Sequence, residues 1–101
     1  YLDHGIEAGP QAPVTIDAPM TMGDVAGLHD VLAAVNSPHL LGGQFQLWTE
    51  YLRTPAQVED AAFPRGTSIA EQLWTGSPAR PLSELATQTR RLTAMGVNWH
   101  R

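Results

Sequence analysis

The chain has no cysteine and no lysine among its 101 residues. Without thiols it can form no disulfide framework, no thiolate metal site and no cysteine nucleophile. The redox compartment stays open, because a secreted protein need not carry disulfides. Without lysine its six basic residues are all arginine, against ten acidic ones, for a formal net charge of -4 and a pI near 5.4. Apart from Arg90-Arg91 the arginines stand singly. The clustered cations that grip phosphates, or that hold a chain to an anionic membrane, are therefore absent, and neither nucleic acid nor membrane is expected as a partner. No apolar run approaches the ~18 residues of a membrane span. The four histidines, His4, His29, His39 and His100, show no short ligand spacing such as H-x-x-x-H, so no metal and no cofactor is expected. Repeats and low-complexity tracts are also missing.

What is present fits one domain at most. Tyr1-Leu2-Asp3 reads as the end of a strand, and a chain that opens inside an element is expected to be a piece of a longer protein. Residues 4–38 hold a loop and one short helix. His4 to Pro19 carries three prolines and two glycines with little periodicity. Thr21 and Asp24 can then cap a helix whose apolar face is Val25, Leu28, Leu32 and Val35. Ser37-Pro38 ends it.

Residues 39–50 are the best strand. Gly42-Gly43 permit close backbone approach, after which Phe45, Leu47 and Thr49 should face one way and Gln44, Gln46 and Trp48 the other. Residues 54–75 read as a kinked helix. Thr54 is a good cap, Pro55 suits the first position, Gln57 completes a capping box and Pro64 interrupts the run. Glu59-Asp60 lies inside this helix and is expected to be solvated. Arg65 is expected to make a structural ion pair, with Glu71 as the candidate acid. Residues 82–95 form a last helix closed by Gly96, and Val97 and Trp99 should fold back as an apolar anchor. Trp74 and Trp99 are expected to pack rather than to bind.

One strand and one strand end cannot make a sheet that covers its own edges. The pattern of alternating strand and helix is α/β, and the chain reads as the closing portion of something larger. Four residues could do chemistry on a ligand: Tyr1, Asp3, Trp48 and Glu50. Trp48 and Glu50 lie two apart, so on an extended backbone they share one side. An aromatic ring can stack on the C–H face of a sugar, while a carboxylate accepts charge-assisted bonds from its hydroxyls. Taken on the residues alone, a packed Trp48 beside an exposed Glu50 is the commoner outcome.

LGGQFQLWTEY (Leu41 to Tyr51), followed by FPRGTSIAEQLW (Phe63 to Trp74), resembles the end of the catalytic domain of β-N-acetylhexosaminidases, glycoside hydrolase family 20. The family has a G-G-x-x-x-x-W-x-E segment as the eighth strand of a (β/α)8 barrel and an F-P-R…A-E-x-x-W segment as the eighth helix. It also has a Y-L-D motif at the end of the seventh strand, matched by Tyr1-Leu2-Asp3. The resemblance implies a partial TIM barrel, a fragment rather than a complete one. It would contain the seventh strand end, the eighth strand, the eighth helix and a C-terminal helix.

By the same resemblance Tyr1 would hydrogen-bond the carbonyl of the substrate's acetamido group. Asp3 and Glu50 would hold sugar hydroxyls, and Trp48 would pack against the sugar at the pocket wall. The substrates implied are glycans ending in N-acetylglucosamine or N-acetylgalactosamine, or chitooligosaccharides, and export would follow from such substrates. In this family the substrate's own acetamido oxygen attacks the anomeric carbon, with an Asp-Glu pair as orienting group and general acid. No Asp-Glu dipeptide occurs in these residues. The isolated chain is therefore expected to supply substrate-binding residues without catalytic ones, and its uncovered apolar faces to favour homo-oligomers. Two further departures from the family are Phe45, where a small residue is usual, and the Met-rich segment from Pro19 to Val35. A non-catalytic carbohydrate- or partner-binding fragment is the alternative, as is a helical interaction fragment with no ligand.

Overall fold

Thr21 begins the described part of the chain as a helix cap. The structure, a computed structural model, describes residues 21–49 and 52–101. The strand end and loop expected over 1–20 lie outside the described residues. The first helix, α1 (Met22–Ala26), is closed by a capping box. The Thr21 hydroxyl accepts from the Asp24 backbone at 3.1 Å, while the Asp24 carboxylate accepts from the Thr21 backbone at 2.7 Å and its hydroxyl at 2.8 Å. These bonds, the backbone one first, hold the Asp24 carboxyl below its ordinary value. A depressed folded-state value means that the cap's contribution is complete above the ordinary carboxylate range near 3.9 and is lost as pH falls through the lowered value. Helical circular dichroism should therefore decline on acidification below about pH 3.9. In Asp24→Asn that decline should be reduced; an unchanged acid profile would place the loss elsewhere.

The apolar run after Thr21 divides at Gly27 into α1 and α2 (Leu28–Val35). Asn36, with φ of 39° in the left-handed region, ends α2. Short polar side chains tolerate that conformation and so stop helices. Val25 is buried, whereas Val31 and Val35 on α2 remain exposed.

Thr54 caps α3 (Pro55–Ala62) with Pro55 at the first position. The Gln57 side-chain oxygen accepts from both the Thr54 and Arg53 backbones. Pro64 then divides the expected helix, since residue 63 is pushed out of the helical region when proline follows. Phe63 is extended, the Phe63–Pro64 bond is cis, and a second helix, α4 (Arg65–Thr75), follows. Gly76 closes α4 in the left-handed conformation, φ 64°. A short 3-10 turn, Leu82–Leu85, leads into α5 (Ala86–Ala94).

Among the described residues there is no strand. The strand expected over 39–50 is present as an irregular segment through residue 48, with Leu41 fully exposed. The reason is physical: a strand exists only when another strand accepts its ladder of hydrogen bonds. Apolar alternation marks a segment able to pair but supplies no partner. The described residues form a layer of helices, and the strands expected of a partial barrel are not seen among them.

That layer is tied together by Gln72, which is 1% exposed. Its carbonyl oxygen accepts from the His29 backbone at 3.0 Å, and its amide nitrogen donates to Val25 O at 3.0 Å and Ser68 O at 3.3 Å. One side chain of α4 thus joins the end of α1 to the start of α2. Around it Val25 and Ile69 form an apolar cluster with Leu28, Leu47 and Leu73, while Leu52 and Ala61 form a second one with Leu47 and Val58. Leu47 belongs to both.

Four expectations are corrected from α3 onward. Glu59 and Asp60 are not a solvated pair: Asp60 is buried, and both hold the last residues of the chain. Asn98 donates its backbone N–H to Glu59 Oε2 at 2.7 Å and its amide to Ala56 O at 2.9 Å. His100 donates its backbone N–H to Phe63 O at 2.9 Å, and its ring meets Asp60 at 3.2 Å. The fold-back is therefore polar, because α3 presents acceptors along its flank. Trp99 donates to the Thr93 hydroxyl and lies under Arg101, 5.2 Å from the ring centroid. Trp74 is 89% exposed rather than packed, since the i, i+3, i+7 face of α4 is Gly66, Ile69 and Leu73 and Trp74 stands off it. Glu71 pairs with Arg80, not Arg65. Arg65 is 2% exposed and donates to Ala61 O.

Candidate functional site

Of the four residues singled out by sequence, the structure places Trp48. Tyr1, Asp3 and Glu50 lie outside the described residues. Trp48 directly follows Leu47, and the sequence explains how that position is held. Gly43, Phe45 and Leu47, alternate residues of one segment, all meet the helical layer. Gly43 approaches Leu73, Phe45 lies on Gly66, and Leu47 enters both apolar clusters. Contacts at every second residue are those of an extended backbone. Gln44 and Gln46, between these contacts, border a cleft together with Phe45 and Ile69, and Trp48 comes at the end of the segment. Trp48 is 52% exposed, which leaves ring surface for a ligand.

A cleft of about 490 Å³ lies between α1, α2 and residues 44–46. Val25, Leu28, Val31, Phe45 and Ile69 give it an apolar lining, and Asp24 contributes a carboxylate already committed to Thr21. Trp48 does not line it.

No group of three or more His, Asp or Glu side chains able to hold a metal occurs among the described residues. His29 is half-buried with its backbone on Gln72, His39 is exposed, and His100 is with Asp60. No described helix is long and apolar enough to cross a membrane. The charge effects that move ionisation lie away from Trp48: Asp24 is lowered in its capping box, and Arg80 is raised by its bond to Glu71. Gln72 was not apparent as a structural clamp from sequence, because Val25 lies 47 residues away from it.

Comparison with known proteins gives two findings. The family described as glycosyl hydrolase family 20, catalytic domain, matches residues 1–77. A curated β-hexosaminidase of Porphyromonas gingivalis is 30% identical over 113 aligned residues, covering 99% of this chain. The chain spans 14% of that relative's length. No solved structure matches it.

Proposed function

Because the chain belongs to glycosyl hydrolase family 20, we propose that it forms the closing part of a β-N-acetylhexosaminidase barrel and one wall of its sugar pocket. In this role Trp48 packs on the sugar ring, Glu50 and Asp3 accept bonds from its hydroxyls, and Tyr1 donates to the acetamido carbonyl. The whole protein would remove terminal N-acetylhexosamine from glycans or chitooligosaccharides with retention, the acetamido oxygen acting as nucleophile. The acid and the orienting carboxylate would come from an Asp-Glu pair, a dipeptide that these 101 residues do not contain. Functional groups at the C-terminal ends of strands are the rule in such barrels, and Trp48 and Glu50 close the segment that would be the eighth strand.

The observation that carries this proposal is the family match over residues 1–77, which includes the G-G-x-x-x-x-W-x-E segment. A chromogenic N-acetylglucosaminide tests the division of labour. The chain alone should release no chromophore beyond a Glu50→Gln control. Turnover above that control would mean that the chain carries a complete site of its own. Calorimetric titration with N-acetylglucosamine tests the wall itself: heat of binding is expected with this sugar and should be weaker with glucose, which lacks the acetamido group.

A further inference from the structure

The departure at Phe45 has a structural counterpart on α4. A Cβ placed on Gly66 would lie 3.0 Å from Phe45 Cζ, closer than side chains normally approach. A Cβ on Gly43 would lie 3.0 Å from Leu73 Cδ2. The two contacts are reciprocal. In one the segment supplies the large group and the helix the glycine; in the other the helix supplies the large group and the segment the glycine. Gly66 and Leu73 are seven residues apart, two turns along one face of α4, with Ile69 between them. Phe45 and Gly43 are two apart on one side of the segment. A residue slip of the segment would turn Phe45 away from Gly66 and bring Gln44 or Gln46 against the helix, so the pairing permits a single register.

Resting on the sugar wall proposed above, we infer that Gly66 and Phe45, backed by Gly43 and Leu73, are positioning residues that fix the height and facing of Trp48. None of the four needs to touch the ligand. Gly66 serves by having no side chain. Its position, the second residue of α4, holds the ring of Phe45 against the helix backbone, three residues before Trp48. A ring is stiff and has few rotamers, so seating it against the backbone orders the segment more firmly than a flexible side chain would. A larger residue at 66 meets the tip of the ring, and the proposal is that the ring passes this displacement on to the segment.

Fluorine NMR of the chain with its tryptophans replaced by 5-fluorotryptophan tests this in the protein as it exists. It gives one resonance each for Trp48, Trp74 and Trp99, assigned by single Trp→Phe changes. Gly66→Ala, and more strongly Gly66→Val, should move the Trp48 resonance while Trp74 and Trp99 keep theirs. Phe45→Ala added to Gly66→Val should return Trp48 toward its original position, since the ring that collided is gone. A Trp48 resonance indifferent to both Gly66 variants would overturn the inference. So would equal movement of all three resonances with no recovery in the double variant, which would mark Gly66 as a general packing residue. Adding N-acetylglucosamine to the unmodified chain separates the two proposals. If Trp48 does not respond to the sugar but still responds to Gly66→Ala, the sugar wall fails and the positioning lock stands.

Discussion

Trp48→Ala is expected to weaken the binding of N-acetylglucosamine by roughly thirtyfold, while Trp48→Phe retains most of it. The exposed half of the Trp48 ring is the surface a sugar would cover, and its contribution combines burial of apolar area with the geometry of an aromatic contact. Together these come to about 2 kcal/mol. A difference of ~1.4 kcal/mol is tenfold in affinity, which sets the scale of the loss. Phenylalanine keeps a smaller π-face in the same place, so its cost should be a few-fold. Titration calorimetry of the three proteins measures the series, and their thermal unfolding separates loss of the sugar contact from loss of the fold. Equal affinities across the series would remove Trp48 from the wall.

Gln72→Leu should cost the fold about 2 kcal/mol. Leucine approaches glutamine in size, so the cost is polar and not a cavity. The His29 N–H loses its partner at a site where the side chain is 1% exposed, and the Val25 carbonyl is left with the backbone N–H of the α1 cap alone. Each buried group left unmade costs about 1–3 kcal/mol. Single domains are stable by only about 5–15 kcal/mol, so the loss should be visible as a large drop in the denaturant midpoint. Gln72→Glu would keep an acceptor for His29 but lose the donor to Val25 and bring in a charge, and should be at least as damaging. Ser68→Ala offers the contrast. Ser68 is fully buried and its hydroxyl has no hydrogen-bond partner among the described residues, so alanine there should be neutral or stabilising. If both substitutions behaved alike, Gln72 would be acting through its volume, not its amide.

Local structure was legible in the sequence because its causes are local. The capping boxes at Thr21 and Thr54 each need a residue three positions on, and both are present in the structure. Proline at 64 divides the helix through its own ring and missing N–H. The family, too, was legible, since its motif residues are contiguous in LGGQFQLWTEY.

What needed the tertiary structure were outcomes decided by residues distant in sequence. The 39–50 segment has a strand's pattern, but its state depends on neighbouring strands that its own residues do not supply. Glu59 and Asp60 look like a solvated charged pair until Asn98 and His100, about 40 residues later, come to lie on them. Gln72 is an ordinary polar residue of an amphipathic helix until α1 and α2 bring the Val25 carbonyl and the His29 N–H to its amide. Sequence and the family resemblance singled out a tryptophan and a carboxylate as candidates for a sugar wall. That Phe45 has its room in a glycine of α4 was decided by packing, because the space one residue needs is set by what another, 21 positions away, leaves out.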